Sequence, residues 1–405
     1  MPCELLHRWL TLVVAPTATA TTDALADACF SKRELIFVTR SGAFTRARLG
    51  GGSVDEFRAA LVRKTPLRVE NVTLNSVAYE QRHLAGPSFT RVHKELAFDI
   101  DIDDYDDVRA CCTGSAFCRR CWTPLVGAAV CFIERLLHGV YGHANLMWVF
   151  SGRRGMHCWV IEAGAGYATD ERAAIAARVS AASQVPPIDA SGAARTAVAD
   201  LPPSYWRVLV DAMYAYFDAQ PDLFGSARVV QYLARRLYGD GDALHAVFVG
   251  AIGSAYAQRP GDSRRAFDAW LARGFVMRNN AVDRSARELA VRCCAAALCA
   301  PRIDTPVTAL AAHAVKMPFC VHPATRTVCT PMSTEQARTF YPCAESIVRI
   351  DDVLAELRAS PESTVDDSAA ATTPPCLGNA VRAMDDCVRR AEQGRAARSA
   401  AAERG

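Results

Sequence analysis

The stretch ELAFDIDIDDYDD at residues 95–107 constrains the fold of this chain more than any other part of the sequence. Apolar and acidic residues alternate along it, which is the period of a β-strand with one apolar face. Asp99 and Asp101 therefore point to the same side of the strand. Two carboxylates this close repel each other and raise one pKa unless a cation neutralises them. The pattern is compatible with a two-metal nucleotidyl-transfer site, and equally with an edge strand whose acidic face is solvated.

The composition is that of an ordinary soluble globular protein, with 51% hydrophobic and 22% charged residues in a chain of 405. A net charge of +3 is too small to establish a nucleic-acid partner. The chain is too large and too apolar to need disulfides, so most of its 16 cysteines are expected in the core. No apolar run reaches the roughly 20 residues of a membrane span, and the N-terminal segment is a poor secretory signal. We therefore expect an intracellular protein with no membrane contact.

Composition and hydrophobic periodicity divide the chain into four segments. Residues 1–169 combine strand-like and short helical patterns, and residues 170–300 are alanine-rich with helical periodicity. Strand-like patterns return over residues 301–359. Residues 360–405 consist of a low-complexity linker followed by a basic Ala/Arg-rich tail. This order predicts a helical subdomain inserted between two strand-bearing segments.

Local patterns predict individual elements within these segments. They are a strand pair RELIFV and FTRARL, a helix at 54–64, strands near 67–80 and 94–103, a helix at 125–138, a hairpin LMWVF–SGRRG–MHCWVIE, strand-like segments PRIDTPVT, MPFCVHP and TRTVCTPM, and a fraying helix at 380–405.

The segment CCTGSAFCRRCW places four cysteines, Cys111, Cys112, Cys118 and Cys121, within eleven residues. Four thiolates can close a tetrahedral zinc site, and the Cys-x-x-Cys end has the usual knuckle spacing. The adjacent pair at the other end is unusual, because both side chains must turn towards one ion. A closed four-cysteine site has no open coordination position, so its role would be structural. The alternative is a free or redox-active pair.

The hairpin around SGRRG presents basic residues at a turn. The glycines let the backbone approach a bulky anion, and the guanidinium groups of Arg153 and Arg154 match phosphate oxygens. Ser151 adds a hydroxyl, and His157 begins the next strand beside the turn. There is no Gly-Lys-Ser and no following helix, so this is not a P-loop. A triphosphate cradle and an ordinary basic β-turn both remain open.

A third group of polar residues lies in PRIDTPVTALAAHAVKMPFCVHP. It contains Arg302, Asp304, His313, Lys316 and His322. Asp304 could complete a carboxylate trio with the strand aspartates, and Lys316 and His322 could hold phosphates. The alternative is that each residue is structural or solvated.

Taken together, these segments resemble the archaeo-eukaryotic primase family, and within it the small catalytic subunits of eukaryotic-type DNA primase. The family pattern of FDID followed by DYDDVR, a CC…CxxCW cluster, SGRRGxHCW, PRxD and PFxVHP occurs here in the same order. The resemblance implies an α+β (mixed α/β) fold. Its catalytic core, with mixed β-sheets and a structural zinc motif, would comprise residues 1–169 and 301–359, and the helical subdomain residues 170–300.

The resemblance also implies which residues bind metals. Asp99, Asp101 and Asp304 are the expected catalytic carboxylates, which hold Mg²⁺ or Mn²⁺. The expected ligands of the structural Zn²⁺ are Cys111, Cys112, Cys118 and Cys121.

A further set of residues is implied to bind the nucleotide. Most match the SGRRGxHCW and PFxVHP motifs, whereas the match in the early strands is thinner. The set comprises Ser151, Arg153, Arg154, His157, Lys316, His322, His313, Glu34, Arg46 and Glu70.

The implied reaction is the synthesis of short RNA primers from NTPs on a single-stranded DNA template, by two-metal nucleotidyl transfer, to initiate DNA replication. The implied partners are the primase large subunit, as a heterodimer, and the DNA polymerase alpha complex, in the nucleus. Two other interpretations remain: a repair-type primase-polymerase that uses dNTPs, and a non-catalytic zinc-bearing replication scaffold. An intact aspartate trio argues against the scaffold, which has no need of mutually repelling carboxylates.

Overall fold

The computed structural model describes fourteen parts of the chain, and for the strands before residue 95 it describes only the backbone. The described residues are 34–39, 44–48, 59, 69–75, 95–162, 167–183, 201–240, 243–274, 276–277, 281–282, 284–310, 313, 315–359 and 373–402.

Within the described residues, ten short strands form two four-stranded sheets and one isolated pair. The strands are β1 (Glu34–Thr39), β2 (Phe44–Arg48), β3 (Val69–Asn75), β4 (Ala97–Asp101), β5 (Leu146–Phe150), β6 (Gly155–Val160), β7 (Val276–Met277), β8 (Ala281–Val282), β9 (Val315–Lys316) and β10 (Pro331–Met332). The first sheet has the order β2-β1-β3-β9 and the second β10-β5-β6-β4, while β7 pairs with β8. Every one of these pairings is antiparallel.

The second sheet is covered on both faces, which explains why β5 and β6 are buried along their whole length. Phe98, Ile100 and their neighbours pack into a large core beneath the helices. The opposite face belongs to a smaller core that includes Ala97 and Trp159. The odd-numbered residues of β4, including Asp99 and Asp101, share the face of Ala97. The aspartates thus lie on a strand that packing holds from both sides.

A long helix, α1 (Arg119–Tyr141), forms the floor of the large core. It begins six residues before the predicted start at residue 125, directly after Cys118, and ends at Gly142, whose left-handed φ of 72° favours glycine. The helix is long and apolar enough to cross a membrane by length and composition. Twelve of its residues are nevertheless buried inside the protein, as in the core helix of a globular domain.

Helices dominate the described residues between 169 and 299, as the periodicity predicts. They are α2 (Thr169–Ala181), α3 (Pro203–Ala219), α4 (Ala227–Tyr238), α5 (Ala243–Gln258), α6 (Ser263–Gly274) and α7 (Arg284–Cys299). Helices α3 and α7 pack on each other and on α1, so the helical segment shares its core with the second sheet. Fold class α+β is therefore confirmed, and the division of the chain into four segments remains a prediction.

The segment after α7 contains fewer strands than its sequence predicts. The prediction for PRIDTPVT is wrong: a short helix, α8 (Thr305–Ala309), begins directly after Asp304, where Pro306 is favourable in the first helical turn. MPFCVHP forms turns apart from Val321, which makes a β-bridge to Val328 of TRTVCTPM. TRTVCTPM ends in strand β10, so a strand is confirmed for its last two residues. Phe319 and Arg326 have left-handed backbone conformations. Two further helices follow, α9 (Thr334–Thr339) and α10 (Ile350–Ala359).

The C-terminal helix, α11 (Gly378–Ala402), is docked on the sheet, which its sequence did not predict. Met384, Cys387 and Val388 are fully buried in the smaller core. The side chain of Asn145 donates a hydrogen bond of 2.6 Å to the carbonyl of Cys387. Arg390 in turn donates to the Asn145 side-chain oxygen at 3.2 Å. The linker before this helix lies largely outside the described residues.

Other predicted elements can be compared only in part. The strand pair RELIFV and FTRARL is confirmed, with Ile36 opposite Arg46. Strand β4 ends at Asp101 rather than residue 103, because residues 102–105 turn into a 3-10 helix. The predicted helix at 54–64 lies outside the described residues except for residue 59.

Candidate functional site

The structure brings three aspartates together from distant parts of the sequence. Asp99 and Asp101 lie on β4, and Asp304 lies at the end of the segment that follows α7. The backbone N–H of Asp304 donates a 3.0 Å hydrogen bond to the carbonyl of Asp99, which ties the two segments together. The three side chains line one cavity of about 570 Å³, together with Asp104 and Arg154. Carboxylate oxygens are the donor type that Mg²⁺ and Mn²⁺ prefer, and here three carboxyl groups border one cavity.

Burial and like charges make the Asp99 carboxyl reluctant to ionise. The Asp99 side chain is 24% exposed, but its Oδ1 atom is shielded from solvent and makes no hydrogen bond. Burial, followed by repulsion from Asp101, raises the pKa of Asp99 to about 8. The positive charge of Lys316 acts in the opposite direction. A divalent cation would favour the ionised form, so the chemistry of this donor set fits a bound metal ion.

His157 lies opposite Asp99 across the β4–β6 pair, with Nε2 3.5 Å from Asp99 Oδ1. The imidazole is 3% exposed, and burial together with the charge of Lys316 lowers the pKa of His157 to about 3. The ring is therefore neutral at physiological pH. It can donate a hydrogen bond to an anion without adding charge to the site.

Arg154 contacts the aspartates rather than extending from the turn. Its guanidinium lies 2.9 Å from Asp101 and 3.1 Å from Asp103. Asp103 has no role among the sequence predictions, and only the fold shows that it shares Arg154 with Asp101. Arg153, by contrast, is exposed at the tip of the turn.

Gly155 allows the close approach of the turn and the acidic strand. A Cβ atom at this position would collide with the carboxylate of Asp101 and would lie 2.6 Å from the carbonyl of Ile100. Among the described glycines, Gly250 on α5 has no neighbouring atom within 4 Å of such a Cβ.

Substituting Gly155→Ala is expected to displace Asp101 and to lower catalytic activity about 100-fold, since an ångström-scale shift of a catalytic group has effects of this order. Overpacking should also cost about 1–3 kcal/mol of unfolding free energy. Nucleotide incorporation and thermal unfolding are the measurements. The matched variant Gly250→Ala should keep full activity and gain about 0.5–1 kcal/mol, because alanine suits a helix interior better than glycine. Wild-type activity in Gly155→Ala would contradict the prediction.

The turn at residues 151–155 is held by its own hydroxyl and by a lysine. The N–H of Gly155 donates to Ser151 Oγ at 3.0 Å. Lys316 Nζ donates to the carbonyl of Ser151 at 3.2 Å, which brings β9 of the first sheet to the second sheet. Gly152 has a φ of 85°, and a Cβ there would lie 2.8 Å from the Cβ of His322. The fold thus brings Ser151, Lys316 and His322 to one place.

Three cations converge on the His322 imidazole. Burial, then the charges of Lys316, Arg153 and Arg154, lower the pKa of His322 to about 4. A neutral imidazole among basic side chains is suited to binding a polyanion, because the positively charged side chains attract phosphate oxygens. These residues therefore form a candidate triphosphate site beside the aspartates, although their individual roles remain predictions.

The remaining nucleotide-site predictions are less closely defined by the structure. Arg46, Ile36, Thr73 and Lys316 are direct partners in successive strand pairs, so they occupy one row across the first sheet. Glu34 lies at the start of β1, and Glu70 falls at the irregularity between β1 and β3. The side chains of Glu34, Arg46 and Glu70 lie outside the described residues. His313 is half-buried and its N–H donates to the carbonyl of Leu310 at 3.2 Å. These four roles also remain predictions.

Arg302 links the acidic segment 104–107 to Tyr232 on α4. The PRxD pattern did not reveal this role. The Arg302 guanidinium donates to the carbonyl of Asp104, to the carboxylate of Asp107 and, at 2.9 Å, to the hydroxyl of Tyr232. It also lies 5.0 Å and 5.4 Å from the ring centres of Tyr105 and Tyr232. Arg302 is 14% exposed, so these contacts form in a largely water-free environment.

Substituting Arg302→Ala is expected to cost about 2–3 kcal/mol of unfolding free energy. This is below the value for a fully buried pair because Asp107 is 39% exposed. Arg264 provides the matched control: it also combines a carboxylate, Asp218, with a tyrosine ring, but at the surface. Denaturant unfolding should show little change for Arg264→Ala. Equal effects of the two substitutions would contradict the prediction.

The four predicted zinc ligands also converge. The four sulfur atoms all lie within 4.8 Å of one another; they belong to Cys111, Cys112, Cys118 and Cys121. The distances from the Cys118 sulfur are 3.5 Å to Cys111 and 4.0 Å to Cys121. Sulfur atoms around a tetrahedral zinc ion are about 3.8 Å apart, so the cluster fits this ion closely.

Arg109 and Asp106 hold the cysteine loop against the acidic segment. Arg109 is fully buried, pairs with Asp106, and donates to the carbonyl of Gly114 at 2.8 Å. The Cys111 thiol and the Arg109 guanidinium lower the pKa of Cys121 to about 5. The lowered pKa favours the thiolate form, which is the form that binds metal ions.

Comparisons with known proteins agree with this geometry. The family model described as DNA primase small subunit matches residues 98–334, more than half of the chain. The chain belongs to this family. Curated DNA primase small subunits are also similar: the Drosophila melanogaster protein is 29% identical over 82% of this chain and 76% of its own length. The Schizosaccharomyces pombe protein is 28% identical over 81% of this chain and 71% of its own length.

The match to the DNA primase small subunit family spans β4, the cysteine cluster, the basic turn, Asp304 and the Lys316–His322 segment. Residues 34–75, with Glu34, Arg46 and Glu70, precede it. The family name implies a polymerase-type catalytic role and a partner subunit. It does not favour a repair polymerase or a scaffold. Primases use divalent metals, and the cysteine cluster can hold a metal ion.

Proposed function

We propose that this chain is the nucleotidyltransferase of a primase, which joins ribonucleoside triphosphates into short RNA primers on single-stranded DNA. One observation carries the proposal: three aspartates from two segments meet beside a group of converging basic residues. Such a pairing suits a reaction in which metal ions and cations share the negative charge of a triphosphate.

The chain's own residues divide the work between the two groups. Asp99, Asp101 and Asp304 would hold two Mg²⁺ or Mn²⁺ ions, and such ions would supply activation of the 3′-hydroxyl and stabilisation of the charge on pyrophosphate. Lys316 and Arg153 would neutralise the triphosphate, and neutral His157 would donate a hydrogen bond to it. A bond forms between the 3′-oxygen and the α-phosphorus as the bond to pyrophosphate breaks, and the hydroxyl proton is lost to solvent.

The assembly and location belong to the same proposal. Zn²⁺ on the four cysteines would be structural, since four thiolates close its coordination shell. The partner subunit would be the primase large subunit, and the heterodimer would act with the DNA polymerase alpha complex in the nucleus. The small-subunit name of the relatives supports a partner subunit, and the polymerase complex and the nucleus follow from the family resemblance alone.

The test is primer synthesis by the purified chain on a single-stranded DNA template with labelled NTPs and Mn²⁺. RNA products are expected, with dNTPs incorporated less efficiently in a parallel reaction. If the isolated chain initiates nothing, extension of an annealed RNA primer separates a missing partner from a missing activity. Preferential use of dNTPs would favour the repair polymerase, and no extension of any primer would overturn the proposal.

A further inference from the structure

The cavity at the aspartates extends away from the triphosphate residues. Its walls include the end of α2, with Ser180 and Ser183, and the start of α8, with Thr305. Arg154 of the basic turn and Arg302 also line it, each paired with a carboxylate, whereas Lys316 and His322 are not among its described lining residues. The aspartates therefore border a hydroxyl-lined region that Lys316 and His322 do not reach.

The hydroxyl-lined region is unsuited to phosphate and suited to a sugar. Four acidic side chains, from Asp99, Asp101, Asp104 and Asp304, border the cavity. Its two described arginines are already paired with carboxylates, so this lining offers no unpaired cation to a phosphate group. In the same lining, Ser180 Oγ and Thr305 Oγ1 lie 3.4 Å apart. Hydroxyl groups both donate and accept hydrogen bonds, so a neighbouring pair can engage a sugar hydroxyl.

The size and position of the cavity agree with a nucleotide at the attacking end of the primer. Its volume of about 570 Å³ lies within the usual range of about 300–1,000 Å³ for small-molecule sites. In an in-line transfer, the attacking and leaving oxygens lie on opposite sides of the reacting phosphorus, and two-metal sites clamp both. With the triphosphate on the basic side of the aspartates, the attacking sugar belongs on the hydroxyl-lined side.

We propose that this cavity binds the terminal ribose of the primer, and that Ser180 and Thr305 contact its 2′-hydroxyl. The inference rests on the proposed function and adds a second specificity to it: the enzyme selects the sugar of the strand it extends as well as that of the incoming nucleotide. Ser183 supports the wall, since its hydroxyl donates to the Ser180 carbonyl at 2.7 Å.

The test compares primers that differ by one oxygen atom. Wild type, Ser180→Ala, Thr305→Val and the double variant extend annealed DNA primers that end in either a ribonucleotide or a deoxyribonucleotide, with saturating NTP and Mg²⁺. Exposed Ser254 on α5 provides the matched control, Ser254→Ala. The readout is the ratio of kcat/KM for the two primers, with KM for NTP measured alongside.

Wild type and Ser254→Ala are expected to favour the ribonucleotide end, and the double variant should lose about threefold to tenfold of that ratio, as expected for one or two hydrogen bonds. KM for NTP should stay the same. An unchanged ratio, equal losses on both primers, or no wild-type preference would overturn the proposal. If wild type extends neither primer, the proposed function itself fails, so the two failures are distinguishable.

Discussion

Replacing Asp99 or Asp101 with asparagine is expected to lower primer synthesis by at least about 1,000-fold, equivalent to about 4 kcal/mol of transition-state stabilisation. Asparagine keeps the shape of the side chain but removes the charge that would hold the metal ions. The measurement is incorporation of labelled NTP on a single-stranded template or an annealed primer.

The same substitution should leave the fold as stable as wild type, or more so. Burial and repulsion from Asp101 raise the pKa of Asp99 to about 8, which means that the ionised carboxylate is disfavoured where it lies. An amide at position 99 removes this repulsion. Thermal unfolding without added metal should therefore show an equal or higher Tm for Asp99→Asn.

The control for both measurements is Asp211→Asn on α3. Asp211 is 72% exposed and only loosely paired with Arg207, so activity and Tm should remain those of wild type. Retention of a tenth or more of the activity in the Asp99 and Asp101 variants would show that these carboxylates are not the metal site. A fall in Tm would show that they are structural.

Replacing Cys118 and Cys121 together with serine is expected to remove one zinc ion per chain. It should lower the free energy of unfolding by at least about 3 kcal/mol, a fraction of the ~10 kcal/mol or more that zinc contributes in small zinc domains. The loss should be large because Phe117 and Trp122, which flank this pair, pack on each other with ring centres 4.8 Å apart. Elemental analysis and denaturant unfolding are the measurements.

Cys343→Ser provides the matched control, since Cys343 is partly exposed and lies outside the cluster. It should retain zinc and stability. A structural role also predicts that primer extension by the double variant survives at low temperature. The assignment would be contradicted if the double variant kept full stability and wild type contained no zinc. Those results would favour a free or redox-active cysteine pair.

The sequence alone was sufficient for the features that depend on local pattern. Alternation of apolar and acidic residues predicted β4, because side chains on a strand point alternately to its two faces. The cysteine spacing predicted a cluster whose four sulfur atoms do converge. The order of motifs predicted the family, and the comparisons confirm it.

Patterns failed where distant contacts decide the backbone. PRIDTPVT contains strand-forming residues, but Asp304 bonds to the Asp99 carbonyl and the chain turns into α8. The Ala/Arg-rich C-terminal helix carries only a weak apolar face, and its docking depends on Asn145, more than 230 residues away.

What the sequence determined by itself is therefore the strand that carries Asp99 and Asp101 and the cluster of four cysteines, since strand alternation and ligand spacing are short-range properties. Only the tertiary structure decided how they divide the work. It placed Arg154 on Asp101 and Asp103, made Arg302 a buried link, and set Ser180 beside Thr305 across 125 residues. Such contacts join residues whose separation along the chain bears no relation to their distance in space, so no local pattern encodes them.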